Sequence, residues 1–225
     1  MMKYWSVDIK VDEQTLIVFD LDDTLYNEID FLRSAYELIA KKIRPDEWKL
    51  LFSSMFSRYR CGKDVFEWLS ATYGCEKNDL LKMYRYHKPD ISLFDGAEQL
   101  LKDIRKNGGS LGILTDGRSL TQRNKIEALG ITEFFKQIII SEEIGTEKPN
   151  RRNFDVFETN EGFNKYYYIA DNFKKDFLSP NQLSWTTIGL IDNGKNIHKE
   201  GYKYMEEERL RPHYLVGSFH EIRII

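Results

Sequence analysis

Asp20 and Asp22 stand two residues apart at the end of an apolar run, Ile17-Val-Phe-Asp20-Leu-Asp22-Asp23-Thr24-Leu25. Two carboxylates this close repel each other unless a cation or a shared proton offsets the charge. A hard divalent cation with oxygen ligands does so, and Mg2+ is the usual one beside phosphate. Three later stretches could join this chemistry. Thr115-Asp116-Gly117 offers a hydroxyl and the N–H groups of a glycine turn, which together can cradle an anion. Lys148, stiffened by Pro149, can neutralise phosphate as a point charge. Asp171 and Asp176 add two carboxylates to an oxygen-rich cation site. Taken singly, each is also what a helix cap, an ordinary strand-to-helix turn or a solvated loop lysine looks like.

The elements that carry these residues decide whether they meet. The run up to Phe19 is short, apolar and β-branched, then breaks into polar residues, as a buried parallel strand does. Before it, Trp5, Val7, Ile9 and Val11 alternate and predict a short edge strand within residues 3–13. Residues 26–88 hold no strand signal. Apolar positions at helical spacing predict helices over 29–43, from Pro45 onward, over 65–73 and over 79–87, the last capped by Asn78 or Asp79. Lys88-Pro89 closes this block. From there helices and strands alternate. Helices are predicted over 96–107, 119–129, 150–160, 174–178 and 199–211. Strands are predicted over 111–115, 137–141, 166–170, 185–191 and 213–216, with Ser218 capping a terminal turn. Such alternation means βαβ units and a parallel sheet with right-handed crossovers. The fold class is therefore α/β, a Rossmann-like parallel sheet core (1–25 and 89–225) with an inserted helical domain at 26–88. In such sheets ligands bind beyond the carboxyl ends of the strands, which is where the acid pair, Thr115, Lys148 and the second acid pair fall.

Composition narrows the function classes. A chain of 225 residues fits one large domain or a domain with an insertion. Lys and Arg number 33 against 36 Asp and Glu, so the net charge of -3 gives no electrostatic case for a nucleic acid polymer or an anionic membrane. No apolar run reaches the length of a membrane span, and the N-terminus lacks the pattern of a signal peptide. Two cysteines, Cys61 and Cys75, make neither a disulfide framework nor a zinc site, and a cytoplasmic location is expected. Four histidines without a His-x-x-x-His argue against a zinc hydrolase. Nothing in the pattern speaks to oligomeric state.

In the order acid pair, Thr, Lys, acid pair, these strand ends resemble the four motifs of the haloacid dehalogenase-like hydrolases. The resemblance covers roughly 14–25 and 92–192, with Ala170 standing where the family often has Gly. It implies that Asp20 is the nucleophile and becomes a transient aspartyl-phosphate, with Asp22 as general acid/base. It implies that Thr115 and Lys148, with N–H groups near Asp116 and Gly117, hold the phosphoryl oxygens. It implies Mg2+ held by the Asp20 carboxylate, the Asp22 backbone carbonyl and Asp171, with Asp176 touching the metal or orienting Lys148. Block 26–88 resembles a C1-type cap, in which Tyr26, Asn27, Arg58, Tyr59, Arg60 and Lys63 are candidates for reading the substrate; Arg118 is another. Asp22 favours phosphoryl transfer over dehalogenation, because the family's dehalogenases attack carbon and lack it. The implied activity is phosphatase action on a small phosphorylated metabolite. Residues 140–150 are similar to nucleotidase-like members, so a nucleoside monophosphate or a sugar phosphate is expected. A mutase of the β-phosphoglucomutase type and a non-enzymatic regulatory domain are the alternatives.

Overall fold

The computed structural model describes residues 6–159 and 162–225. The chain opens with β1 (Val7–Ile9) and β2 (Thr15–Phe19), the latter buried throughout. Four helices follow: α1 (Glu28–Ile43), α2 (Trp48–Arg60), α3 (Val65–Tyr73) and α4 (Lys77–Tyr86), with a 3-10 turn over Pro45–Glu47. Helix and strand then alternate through α5 (Ala97–Lys106), β3 (Ser110–Thr115), α6 (Ser119–Ala128), β4 (Gln137–Ile140), α7 (Ser141–Ile144) and α8 (Arg152–Glu158). They continue through β5 (Lys165–Ala170), α9 (Leu178–Gln182), β6 (Thr186–Leu190), α10 (Tyr202–Met205), β7 (Tyr214–Val216) and β8 (Ile222–Ile224).

Six of these strands form one parallel sheet in the order β4-β3-β2-β5-β6-β7. The order runs outward from β2 in both directions, so β2 lies at the switch point where such sheets bind ligands. Alternation along β2 divides the core. Ile17 and Phe19 pack with Leu101 and Ile104 of α5 and Ile126 of α6 on one face. Leu16 and Val18 pack with Phe154 and Phe157 of α8 and with Trp185 on the other. Apolar on both faces and hydrogen-bonded on both edges, β2 can end only in a polar break, and the break begins at Asp20.

Helices α1 to α4 build a third core around Tyr36, Ile39, Leu51, Met55 and Leu69. Asp64 caps α3 by accepting the Glu67 N–H at 3.0 Å, and Gly74, with φ 67°, ends it in a left-handed turn. Among the described residues, no helix is long and apolar enough to cross a membrane.

Four expectations are corrected. The alternating run before β2 is a strand, but it pairs with β8 in a separate two-stranded parallel sheet rather than edging the main one. Val7 and Ile9 join the core on the α5 side while Asp8 faces out, which satisfies the same alternation; Trp5 lies outside the described residues. The helix expected at 174–178 starts only at Leu178, because Asp176 turns inward and takes the Asn172 N–H, while the Asn172 carbonyl side chain takes the Lys174 N–H. Segment 199–211 is broken into short pieces rather than one helix. Only α10 and a 3-10 turn at Glu208–Leu210 are helical, since the polar run Glu206-Glu-Glu-Arg supplies no apolar stripe to bury. Helix α4 starts at Lys77, so its cap position is Glu76 rather than Asn78 or Asp79.

Candidate active site

Asp20 leaves β2 with its N–H donated to Ile169 O at 2.9 Å, so its position is set by β5. Its side chain is buried, and Lys148 Nζ stands 2.7 Å from Oδ1. The same ammonium lies 2.6 Å from Asp176 Oδ1 and donates to Tyr168 Oη at 3.1 Å, with both charged side chains fully buried. Burial opposes the lysine's charge, but Asp176 and Asp20 outweigh it and hold the ammonium well above the usual lysine range. Burial pushes the Asp20 carboxyl up to about 7, with Lys148 pulling against the shift and Asp176 adding to it. Burial, and then the charges of Asp176 and Asp20, push Asp171 well above the carboxylate range. Carboxylate oxygens of Asp20, Asp171 and Asp176 lie within 4.8 Å of one another. An all-oxygen set whose members resist ionising together fits a hard divalent cation.

Asp22 faces a different environment. Lys125 Nζ lies 2.7 Å from its Oδ1, Gln122 Nε2 donates to Oδ2 at 2.8 Å, and the Tyr26 hydroxyl also donates to Oδ1. Burial would raise this carboxyl; the Lys125 charge and the three hydrogen bonds outweigh it and hold the group below its ordinary value. Two acids two residues apart are thus driven in opposite directions by different neighbours.

The remaining expected residues assemble at the same sheet edge. Thr115 ends β3 and accepts Gln122 Nε2 at 2.5 Å. Asp116 accepts the Lys148 N–H at 3.1 Å and pairs with Lys175 at 2.9 Å, tying two loops together. The Gly117 N–H, expected in an anion cradle, instead donates to Ser141 Oγ at 2.9 Å. Asp171 accepts from Thr24 Oγ1 at 3.2 Å and Asn196 Nδ2 at 2.8 Å.

These groups surround a cavity of about 90 Å³ walled by Asp20, Asp22, Thr115, Asp116 and Asp171, and also by Glu28, Asn172, Lys175 and His198. Burial, and then the charge of Asp22, raise Glu28 to about 8. Of the substrate-reading candidates, Tyr26 reaches the site, through Asp22. Asn27, Arg58, Tyr59, Arg60, Lys63 and Arg118 do not line the cavity. Arg58 lies 4.1 Å over Trp68, Arg60 leans toward Phe56, Tyr59 packs in the helical core, Asn27 accepts from Asn193, and Arg118 lies 3.7 Å from Glu142.

Lys125, Gln122, Asn196 and Lys175 were missed by sequence reasoning. A signal existed for two of them: Gln122 and Lys125 lie three residues apart on α6 on the face that buries Ile126 nearby, and a polar pair on an inward face calls for a partner. The region around Asn196 has no periodicity, and no sequence signal marks it.

Acid pair, threonine, lysine and acid pair at successive strand ends of one parallel sheet define a class of hydrolase. Residues 17–188 match the model of the haloacid dehalogenase-like hydrolases, and the chain belongs to that family. Among curated relatives it is 26% identical to a glyceraldehyde 3-phosphate phosphatase of Methanocaldococcus jannaschii, over 92% of this chain and 94% of that one. It is 31% identical to the pyrimidine 5'-nucleotidase YjjG of Escherichia coli, over 56% of this chain and 53% of the other. Among solved structures, the HAD-hydrolase YfnB of Bacillus subtilis, bound to magnesium, superposes with a TM-score of 0.63 at 22% identity, covering 95% of this chain and 97% of its own.

Proposed function

We propose that this haloacid dehalogenase-like phosphatase is a Mg2+-dependent phosphomonoesterase that works through an aspartyl-phosphate on Asp20. The observation that carries the reading is the convergence on one small cavity of Asp20, held by Lys148 beside Asp171 and Asp176, with Asp22, held by Lys125, and Thr115. An Asp20 oxygen attacks phosphorus, and the bond to the leaving oxygen breaks. Asp22 gives that oxygen its proton. Ionised again, and favoured in that state by Lys125, Asp22 takes a proton from the water that cleaves the acyl-phosphate. The proton gained there is the one it gives to the next leaving group, so each cycle balances. Thr115 and Lys148 hold phosphoryl oxygens, and Lys148 supplies positive charge as the transferring group spreads its own. Asp116 and Gly117 shape the loop around them. Asp20, the Asp22 backbone carbonyl and Asp171 would hold Mg2+, with Asp176 near it and paired with Lys148; the ion would offset the acid cluster and the phosphate's charge. The relatives' named substrates, glyceraldehyde 3-phosphate and pyrimidine nucleotides, support a small phosphorylated metabolite. Residues 26–88 serve as a cap that closes over the site and excludes water. Phosphate release from a panel of phosphomonoesters with Mg2+ tests the reading. Net release is expected, and it should stop in EDTA. Isomerisation without release would instead indicate a mutase.

A further inference from the structure

Asp171, just past the end of β5, is held differently from the other aspartates of the site. Asp20 and Asp176 share Lys148, Asp22 is paired with Lys125, and Asp116 with Lys175. Asp171 has no ion pair among the described residues. Neutral donors hold both of its oxygens: the Thr24 hydroxyl donates to Oδ1 at 3.2 Å and Asn196 Nδ2 to Oδ2 at 2.8 Å. Asn196 is 6% exposed, and its NH2 group can meet a carboxylate only as donor. A neutral donor orients the carboxylate and leaves its charge for an ion.

Asn196 reaches Asp171 from a segment fixed at several points. Asp192 Oδ1 accepts the N–H groups of Gly194 at 2.7 Å and Asn196 at 3.1 Å, which closes a tight turn after β6. The Ile197 N–H donates to Asp23 Oδ2 at 2.7 Å, while Asp23 Oδ1 takes the Glu28 N–H at 2.8 Å, at the start of α1. Asn193 Nδ2 donates to Asn27 Oδ1 at 2.8 Å. Asn196 therefore meets Asp171 from a preformed loop, and the contact orders little that is not already ordered.

We propose that Asn196 is a positioning residue for the cation: it keeps Asp171 turned so that a single carboxylate oxygen is offered, and thereby sets a preference for Mg2+ over Ca2+. The inference rests on the metal-dependent phosphatase reading and concerns the cation subsite of that site. Partners that orient a metal ligand are typically worth about tenfold to a hundredfold in affinity. The two ions also ask different things of a carboxylate. Mg2+ binds oxygens at about 2.0–2.1 Å in a near-ideal octahedron, whereas Ca2+ takes them at about 2.3–2.6 Å in looser shells, often two from one carboxylate. A carboxylate held on both oxygens is not free to turn and give both to an ion. Released from Asn196, Asp171 can do so, which favours the larger ion.

Calorimetric titration with Mg2+ and with Ca2+ at pH 8 tests this in wild type, Asn196→Ala, Asn196→Leu and Asn193→Ala. Leu keeps the bulk of the buried side chain and drops the amide, so the contact can be read even if Ala fails to fold. Wild type is expected to bind Mg2+ more tightly than Ca2+. Both Asn196 variants should raise the Mg2+ Kd at least about tenfold and the Ca2+ Kd by less, moving the ratio toward Ca2+. Asn193→Ala loosens the same segment from Asn27 but keeps the amide on Asp171, and it should leave the ratio as it is. An unchanged Mg2+ Kd in a folded Asn196 variant, equal losses for the two ions, or the same shift in Asn193→Ala would overturn the positioning role while leaving the phosphatase reading intact. A wild type that binds neither ion would overturn the metal reading as well.

Discussion

Lys148 holds two carboxylates with one ammonium, Asp20 at 2.7 Å and Asp176 at 2.6 Å. Removing one partner of a buried ion pair leaves uncompensated charge and costs about 3–5 kcal/mol. Lys148→Met is expected to lose stability on that scale at pH 8, measured by urea unfolding; a loss under about 1 kcal/mol would mean that the pair is not the anchor described. Asp20 also predicts a link between pH and metal. Its carboxyl rises from 3.8 to about 7 on folding, so its favourable contribution is present below about 4 and is lost as pH rises toward about 7. A cation that binds the ionised cluster reverses that loss. Mg2+ is expected to raise Tm clearly at pH 8 and little at pH 5, and equal gains at both would contradict the acid cluster as its site. Asp20, Asp22, Thr115 and Asp171 were legible as candidates because each stands at or just past the end of an apolar strand, where a polar residue has a defined place, and Lys148, beyond α7, and Asp176 through the order of the four stretches. Lys125 and Asn196 were not, because their roles depend on which side chain lies opposite across the fold.

Trp185 shows how an element is fixed. It is almost fully buried, stacks on Tyr166 at 4.9 Å, meets Phe154 and Phe157 edge-on, and donates Nε1–H to Glu158 at 2.9 Å, which docks α8 onto the sheet. Trp185→Ala is expected to cost about 3–5 kcal/mol in chemical denaturation. A cost under about 1 kcal/mol would show that the aromatic cluster repacks. Strands β2 to β7 were legible as apolar runs closed by polar or glycine-containing turns. Helix α3 was legible to the residue, since Asp64 and Gly74 mark its ends. Segment 199–211 was overread because charge density imitates a solvated helix when no apolar stripe is required. Strand β8 went unread because a three-residue strand gives too short a pattern, and its pairing with β1 spans almost the whole chain.

At the scale of the molecule, a parallel sheet delivers the chemistry to one edge, and a helical unit with its own core stands between β2 and α5. Two short connections, around 26–27 and 87–96, join that unit to the sheet. If the unit closes as a cap, vanadate with Mg2+ should slow hydrogen exchange at those connections and leave the α1–α4 core unchanged; no protection there would contradict closure. The sheet order was foreseeable only as a class, because βαβ alternation makes strands parallel without saying which neighbours pair. The central claim is that Asp20 carries the phosphoryl group. Acid-quenched enzyme, taken during turnover of a substrate that it cleaves and digested for mass spectrometry, tests this most directly. A phosphoryl increment on the peptide holding Asp20, absent from Asp20→Asn, is the predicted result. Phosphate release with the increment on another residue, or undiminished release by Asp20→Asn, would contradict it.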